Sequence, residues 1–211
     1  MPLSPLHTKL SRHLGMHKTT TFDFYPDNFG FRVWDANLDI RETYNEVNEQ
    51  TLRQGFSSRL SRSINFFTLG DCMRMTIEVW YADSSENIYL REDTIRAILV
   101  PFSVSGWWKI GDFRGHMEVS LSTHQGHNAL LFEVKLRNDD EYLKSSQYQH
   151  NVDGGFSKEW CCLTLYRRGE RDEPIQPEIL RLDAWTSPPY ELKGYGQLDP
   201  IYPLLMEVGL A

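Results

Sequence analysis

Between its two ends this sequence repeatedly alternates between apolar and polar residues with a period of two, and this pattern limits the possible folds more than any other feature. In the segment 130–137 every second residue from Leu130 to Leu136 is apolar, with Glu133 and Lys135 between them. Successive side chains of a β-strand point to opposite faces, so such alternation predicts a strand with one buried face. The segment Ile95–Val100 is apolar almost throughout, which predicts a central strand covered on both faces.

Eight or nine strands are predicted in this way. Short loops containing Pro, Gly, Asn or Ser separate them at intervals of about 8–12 residues, a spacing typical of β-sandwiches. One segment, Leu38–Ser58, predicts a short helix of one or two turns, because its apolar positions are sparse. We therefore expect an all-β fold, an antiparallel β-sandwich with one short helix. The best-defined strand segments are 21–25, 29–34, 75–81, 95–100, 116–122, 130–137, 160–166 and 179–185.

The composition is typical of a cytoplasmic globular protein. Aromatic residues make up 13% of the 211 residues, which argues against disorder over most of the length. No apolar run approaches the roughly 20 residues that a membrane span needs, and the first residues lack the apolar core of a secretory signal. Three cysteines, two of them adjacent, cannot build a disulfide framework. We expect a cytoplasmic protein that does not associate with membranes.

The two ends of the chain differ in charge from the middle. Residues 1–18 contain lysine, arginine and histidine but no acid, and we interpret them as a flexible basic arm. Residues 170–211 contain eight acidic residues against three basic ones, together with six of the ten prolines. Proline at this density excludes a long helix. We expect residues 19–211 to form a single β-sandwich domain with a Pro-rich acidic C-terminal segment.

The net charge of −7 disfavours DNA or RNA as a direct ligand. Carboxylates are concentrated in two predicted loops, and loops at the ends of a sandwich are free to contact a partner. We interpret both loops as candidate partner-binding sites; the alternative is solvated charge that keeps the protein soluble. The candidates are Asp139, Asp140 and Glu141 in one loop and Glu170, Asp172 and Glu173 in the other.

The pair Trp107–Trp108 is a further candidate for partner binding. On a strand the two rings point to opposite faces, which would expose one of them, and exposed tryptophans are enriched at binding hot spots. The alternative is that both rings close over the ends of the sandwich core.

The triplet Glu133-Val134-Lys135 resembles the carboxylate and lysine pair with which many nucleases hold Mg²⁺ and polarise water. Alternation places both side chains on one face, but it does so on any solvent-facing strand. The nearest upstream acid is Asp112, which has no acidic neighbour in the sequence. We expect Glu133 and Lys135 to be surface residues.

Other combinations of residues are weaker candidates for chemistry. Of His116, His124 and His127, the last two fall in a predicted turn with no cysteine nearby, which favours solvent exposure over zinc binding. Cys161 and Cys162 should point to opposite faces of a strand, so we expect at most one to be buried and both to be structural. The sequence has no phosphate-binding glycine loop and no nucleophile elbow. No catalytic residue, metal ligand or cofactor is assigned.

Several segments together resemble the competence-protein-J family, small inhibitors of a DNA-entry nuclease. The resemblance spans roughly residues 20 to 200. It is carried by Phe24-Tyr25 with Phe29–Asp35, by Gln54–Ser57 with Phe66–Thr68, by Val100–Val104, by Ala129–Val134, and by Ile179–Asp183 leading to Pro188-Pro189.

The resemblance implies a non-enzymatic inhibitor that binds and neutralises a nuclease, and by extension an immunity protein against a similar toxin. An acidic protein suits this role, because nucleases present basic clefts that carboxylates can enter. A sandwich module that binds a carbohydrate or another small ligand by stacking on Trp107 or Trp108 is the alternative. A metal-dependent hydrolase built on Glu133 and Lys135 is the third hypothesis.

Overall fold

A computed structural model describes residues 15–24, 30–45, 48, 51, 54–68, 74–84, 88–113, 118–136, 156–169 and 175–182. These residues form eleven strands and one short 3-10 helix, Ile40–Thr43. The all-β prediction is confirmed. The strands are β1 (Met16–Phe24), β2 (Gly30–Asp35), β3 (Phe56–Leu60), β4 (Ser63–Phe67), β5 (Arg74–Ala82), β6 (Arg96–Val104), β7 (Trp107–Gly111), β8 (Glu118–Ser122), β9 (Gly126–Leu136), β10 (Phe156–Arg167) and β11 (Glu178–Leu182).

The strands form two sheets. The first has six strands in the order β1-β5-β10-β9-β6-β11, and the second has five in the order β3-β4-β2-β7-β8. Neighbouring strands are antiparallel except β5 and β10, which run parallel. Parallel neighbours need a long connection, and here β6 to β9 are formed between the two strands.

The core lies between the two sheets, because the alternating apolar residues of both point into one shared cluster. Phe132 of β9 lies 4.6 Å from Phe66 of β4 between ring centroids, and 5.6 Å from Phe31 of β2. Phe102 of β6 meets Trp108 of β7 edge to face at 5.8 Å. This face-to-face packing is the arrangement of a β-sandwich.

The outer face of the six-stranded sheet is also covered. Ala97 and Leu99 of β6 are buried there with Leu131 of β9, and Ile88 and Leu90 of the segment 88–95 pack against them. The expectation of a central strand covered on both faces is therefore confirmed for β6, which lies between β9 and β11.

Helical structure in Leu38–Ser58 consists of short turns among the described residues, as predicted. The 3-10 helix begins after Asp39, whose side chain accepts a hydrogen bond from the Arg41 amide at 2.8 Å. An α-helical bond from the Gly55 amide to the Thr51 carbonyl follows, and β3 begins at Phe56, inside the segment predicted to be helical. Gly55 ends this turn at φ +83°, and a Cβ there would lie 0.9 Å from the buried guanidinium of Arg96, so only glycine fits.

Strand β1 begins at Met16, inside the range expected as a basic arm. Lys18 pairs with Trp80 in the β1–β5 ladder, and its Nζ lies 2.5 Å from Glu78 Oε1. Residues 1–14 of the expected arm lie outside the described residues. In the described part of the chain, no helix is long and apolar enough to cross a membrane.

Candidate partner-binding surface

The two tryptophans at the start of β7 point to opposite faces, as alternation predicts. Trp108 is fully buried in the core, and its indole N–H donates to the Tyr81 hydroxyl at 3.0 Å. Trp107 lies on the outer face of the five-stranded sheet and is 57% exposed. Its ring does not close over the core, so that alternative is excluded for Trp107 and holds only for Trp108.

Asp35, at the end of β2, fixes the backbone around Trp107. Its carboxylate is buried and accepts hydrogen bonds from the Ser105 amide at 3.0 Å, the Ser105 hydroxyl at 2.5 Å and the Asn37 amide at 2.9 Å. Arg62, from the β3–β4 turn, donates from Nε at 3.0 Å and from Nη2 at 2.9 Å. One carboxylate therefore joins the turn before Trp107 to two other loops.

The charge on Asp35 is stabilised by these donors. Burial alone would raise the pKa of the carboxyl, but the hydrogen bonds from Ser105, Asn37 and Arg62, with the charge of Arg62, lower it below its ordinary value. The Ala36 amide also donates to the Trp107 carbonyl at 2.9 Å. Asp35 was missed by sequence analysis, because the residues that contact it are 2, 27 and 70 positions away.

Small polar residues surround Trp107 on the outer face. Ser122 of β8 lies directly opposite it, and Ser120 lies opposite Lys109. Lys109 in turn pairs with Glu118 at 2.8 Å. Among the described residues, Tyr44 is a second exposed aromatic residue on this side, and its ring stacks on Arg32. The strand partner of Arg32 is Gly111, which lies four residues, about 13 Å, along β7 from Trp107.

The pair Glu133 and Lys135 shares one face of β9, as predicted, but Glu133 is not a surface residue. It is 2% exposed and pairs with Arg91, and it also accepts hydrogen bonds from the Arg91 amide at 2.9 Å and the Thr94 hydroxyl at 2.8 Å. The expectation of exposure was wrong because the segment 88–95 covers this face. Lys135 pairs instead with the exposed Asp93 at 2.8 Å.

Glu133 lines a small cavity with a volume of only about 20 Å³, and a second carboxylate, Glu78 of β5, lines it too. It accepts from Lys18 and, at 3.1 Å, from the Trp80 indole N–H. Sequence analysis considered Asp112 as the upstream acid, but Asp112 lies after β7 of the other sheet, where its charge acts on Arg32. Both carboxylates of the cavity therefore have cationic partners, and the room beside them is that of one water molecule.

Both adjacent cysteines are buried, contrary to expectation. Cys161 points into the core between the sheets, with its Sγ 3.8 Å from Met75 Sδ, and Cys162 lies under the segment 88–95. Burial raises the pKa of Cys162 to about 12, although the positive charge of Arg91 partly offsets this increase. A thiol of this kind is unreactive near neutral pH, which agrees with a structural role.

The histidines do not converge. His124 and His127 are exposed, and His127 Nδ1 lies 2.8 Å from the Ser103 hydroxyl; His116 lies outside the described residues. Within the described ranges, no three His, Cys, Asp or Glu side chains are grouped so that they could hold a metal ion.

The six candidate carboxylates of the acidic loops all lie outside the described residues. They are Asp139, Asp140, Glu141, Glu170, Asp172 and Glu173. The strands that precede them are described: Leu136 at the end of β9 pairs with Glu159 near the start of β10, while Arg167 at the end of β10 pairs with Asn128 near the start of β9. The two strand ends are therefore about 25 Å apart, at opposite ends of the sheet.

Comparison with known proteins supports both the fold and a family assignment. A crystal structure of ComJ from Bacillus subtilis, described as an inhibitor of the DNA-degrading activity of NucA, matches with a TM-score of 0.52 and 11% identity, over 72% of this chain and 97% of that one. A protein described as crocagin biosynthetic gene J matches with a TM-score of 0.48 and 13% identity, over 74% of this chain and 99% of that one. No curated protein sequence matches this chain. The sequence model of the Competence protein J (ComJ) family matches residues 33–153, more than half of the chain, and the protein therefore belongs to the ComJ family.

Proposed function

We propose that this protein is a non-enzymatic inhibitor, or immunity protein, that binds and neutralises a nuclease or a similar toxin. The observation that carries the proposal is membership of the ComJ family, in which a protein of the same fold inhibits a DNA-degrading nuclease. We propose the cytoplasm as its site of action, and the buried thiols of Cys161 and Cys162, neither of which is in a disulfide, suit a reducing compartment.

The exposed ring of Trp107 supports a protein partner. A large apolar ring held on a rigid strand loses little conformational entropy on binding, and tryptophan is the residue type most enriched at binding hot spots. The Asp35 carboxylate fixes the turn that precedes this ring. We propose Trp107 as the apolar anchor of the interface, with Trp108 supporting it from the core.

The excess of acidic residues supports a basic partner. With a net charge of −7, the protein would attract the DNA-binding cleft of a nuclease over distances longer than direct contact. We propose that Asp139, Asp140 and Glu141, or Glu170, Asp172 and Glu173, take the place of DNA phosphates there. Because β9 and β10 end about 25 Å apart, a partner with a single cleft would meet the two groups unequally.

The surroundings of Glu133 support the absence of nuclease activity. A catalytic Mg²⁺ site needs carboxylate oxygens that are free to bind the ion and substrate. Both Glu133 oxygens instead accept from Arg91, with Thr94 as a further donor. We propose that Glu133 and Lys135 are structural.

Inhibition can be tested with nucleases from the source organism, beginning with any encoded beside the gene for this chain; the one that co-purifies with the protein is the test nuclease. DNA degradation by that nuclease should stop once one or two equivalents of the purified protein are added, and the two proteins should elute together in size-exclusion chromatography. Heat-denatured protein serves as the control. Undiminished degradation at a large molar excess, without co-elution, would refute the proposal.

A carbohydrate-binding module is the second candidate, and the exposed Trp107 with the neighbouring hydroxyls of Ser120 and Ser122 favours it. A sugar ring can stack on an indole while hydroxyl groups bind its edge. Binding to a glycan array that is lost in Trp107→Ala, together with no effect on the nuclease, would support this function over inhibition.

A further inference from the structure

Two adjoining cavities open at the end of the sandwich where β5, β6 and β10 end and β1 and β9 begin. The first, of 360 Å³, lies between the sheets and is lined by His17, Tyr81 and His124; the second, of 500 Å³, is lined by Ser103, His127 and Arg168. Asn128 and Arg167 line both. We call the two cavities together the strand-end groove.

The strand-end groove is basic although the protein as a whole is acidic. Two arginines and three histidines line it, and Asp83 is the one acid among its described lining residues. Donors converging from different strands on one cleft favour an anionic ligand, since the low-dielectric walls of a cleft focus the electrostatic field more than a flat surface does.

Arg167 occupies the centre of this arrangement. It is the last residue of β10, pairs across the sheet with Asn128, and is exposed to solvent. Its guanidinium has no ion-pair partner in the described part of the chain. An unpaired guanidinium offers a planar fork of donors whose geometry matches two oxygens of a phosphate.

A hydrogen bond positions a second donor. His127 Nδ1 lies 2.8 Å from the Ser103 hydroxyl, which in turn lies 3.1 Å from the Ser61 hydroxyl. When Ser103 donates to Nδ1, the imidazole proton lies on Nε2, and that N–H can donate to an anion in the groove.

The first cavity also offers a fixed aromatic surface. The Tyr81 hydroxyl donates to the Ser122 carbonyl at 2.6 Å and accepts from the Trp108 indole at 3.0 Å. Burial raises the pKa of Tyr81, so the hydroxyl keeps its proton for this bond. The His17 ring meets Tyr81 at 5.8 Å, and Leu165 adds apolar lining. These rings can hold a planar group beside the arginine.

We propose that the strand-end groove binds a nucleotide through its phosphomonoester, with the phosphate on Arg167 and the base against Tyr81 and His17. Cavities of this size are typical of small-molecule sites. The overall charge of −7 limits the ligand, because repulsion grows with the number of phosphates. A free mononucleotide, or the 5′-phosphate end of a short DNA strand, therefore fits better than a long duplex. This binding is separate from nuclease inhibition and is measured without the nuclease.

Isothermal titration calorimetry of the full chain tests the proposal with adenosine 5′-monophosphate, adenosine, inorganic phosphate and a 5′-phosphorylated thymidine trinucleotide. The nucleotide should bind about tenfold or more tightly than adenosine or phosphate alone. Arg167→Gln should weaken this binding about tenfold or more. The matched control is Arg41→Gln, which removes the same charge from an exposed position on the 3-10 helix and should change affinity less than about twofold. Whichever of the nucleotide and the trinucleotide binds more tightly identifies the source of the phosphomonoester.

The proposal is overturned by equal affinity for the nucleotide and adenosine, or for the nucleotide and inorganic phosphate. It is also overturned if Arg167→Gln and Arg41→Gln bind alike. Thermal unfolding within about 2 °C of the wild type shows that a variant is folded. If Arg167→Gln fails this check, Arg167→Lys replaces it; the lysine keeps the charge but loses the fork, and affinity should still fall measurably.

Discussion

The outer face of the six-stranded sheet and the strand ends near Trp107 both carry charged side chains, but the two regions use them differently. On the outer face Glu133 and Glu78 are buried and paired with cations, and the space beside them is about 20 Å³. At the strand ends, Trp107 is exposed and Arg167 lines two open cavities.

The difference shows why a charged motif on a strand is weak support for catalysis. Carboxylates that accept from arginine and threonine in a closed cavity maintain the fold, because removing either partner would leave an uncompensated buried charge. A side chain whose backbone is held by buried hydrogen bonds, but whose own atoms are exposed to solvent, is available to a partner. Asp35 shows how one buried carboxylate can serve such an open surface.

The largest expected effect on stability comes from removing a buried carboxylate on the outer face of the six-stranded sheet. Glu133→Ala should lower the free energy of unfolding by about 3–5 kcal/mol, because it leaves the Arg91 guanidinium buried without its carboxylate. Urea unfolding followed by tryptophan fluorescence measures it. Lys135→Ala is the control: its partner Asp93 is 52% exposed, and the loss should stay below about 1 kcal/mol. An equal loss of unfolding free energy in the two variants would contradict the distinction between buried, paired charges and exposed ones.

The next effect concerns Asp35, the buried carboxylate that serves the open region. Asp35→Asn should lower the free energy of unfolding by about 1–3 kcal/mol, because the amide has one acceptor oxygen in place of two, turns an NH2 group towards donors, and loses the ion pair with Arg62. The exposed Asp93→Asn is the matched control and should cost less than about 1 kcal/mol.

The same variant has a pH signature. The pKa of Asp35 is lowered in the folded state, so its contribution is complete above the unfolded value of about 3.9 and is lost as the pH falls through the lower folded value. Wild type and Asp35→Asn should therefore differ in stability by a constant amount at neutral pH and converge below about pH 4. A difference that persists unchanged into strong acid would contradict this linkage.

Much of the fold was predictable from the sequence because period-two alternation is a local signal. The predicted strands around 75–81, 95–100, 130–137 and 160–166 all lie in the six-stranded sheet. Three strands were missed, β3, β4 and β7, and all belong to the other sheet. Each has five residues, and short segments containing serine, arginine or adjacent tryptophans give no clear alternation.

The candidate site was less predictable, because it depends on contacts between distant residues. The exposure of one tryptophan followed from alternation, but Asp35 meets Ser105 across 70 positions. Glu133 was expected at the surface because nothing in β9 shows that residues about 40 positions earlier cover it. Tertiary coverage of a sheet face cannot be derived from the strand that it covers.

Trp107 tests whether the open region is functional. Trp107→Ala should leave the free energy of unfolding within about 0.5 kcal/mol of the wild type, because the ring is exposed. Affinity for the partner nuclease should fall about thirtyfold, the equivalent of about 2 kcal/mol at a hot spot. Trp108→Ala is the contrast: it empties a fully buried site and should destabilise the fold by about 3–5 kcal/mol. Unchanged affinity in a folded Trp107→Ala variant would show that Trp107 does not anchor the interface.

The smallest expected effect, on association rate rather than stability, separates the two acidic groups. Reversing Asp139, Asp140 and Glu141 together to Lys should slow association with the nuclease and flatten its salt dependence, since exposed charges act mainly on the encounter of the two proteins. The same change at Glu170, Asp172 and Glu173 tests the other group. Surface plasmon resonance between roughly 50 and 200 mM salt covers a range in which screening changes appreciably.

Because β9 and β10 end at opposite ends of the sheet, one triple variant should slow association more than the other. The group near the end of β10 follows the strand that reaches the Trp107 end of the sandwich, so we expect the larger effect there. Wild-type rates in both variants would show that acidic steering plays no part, and the surface around Trp107 alone would then account for binding.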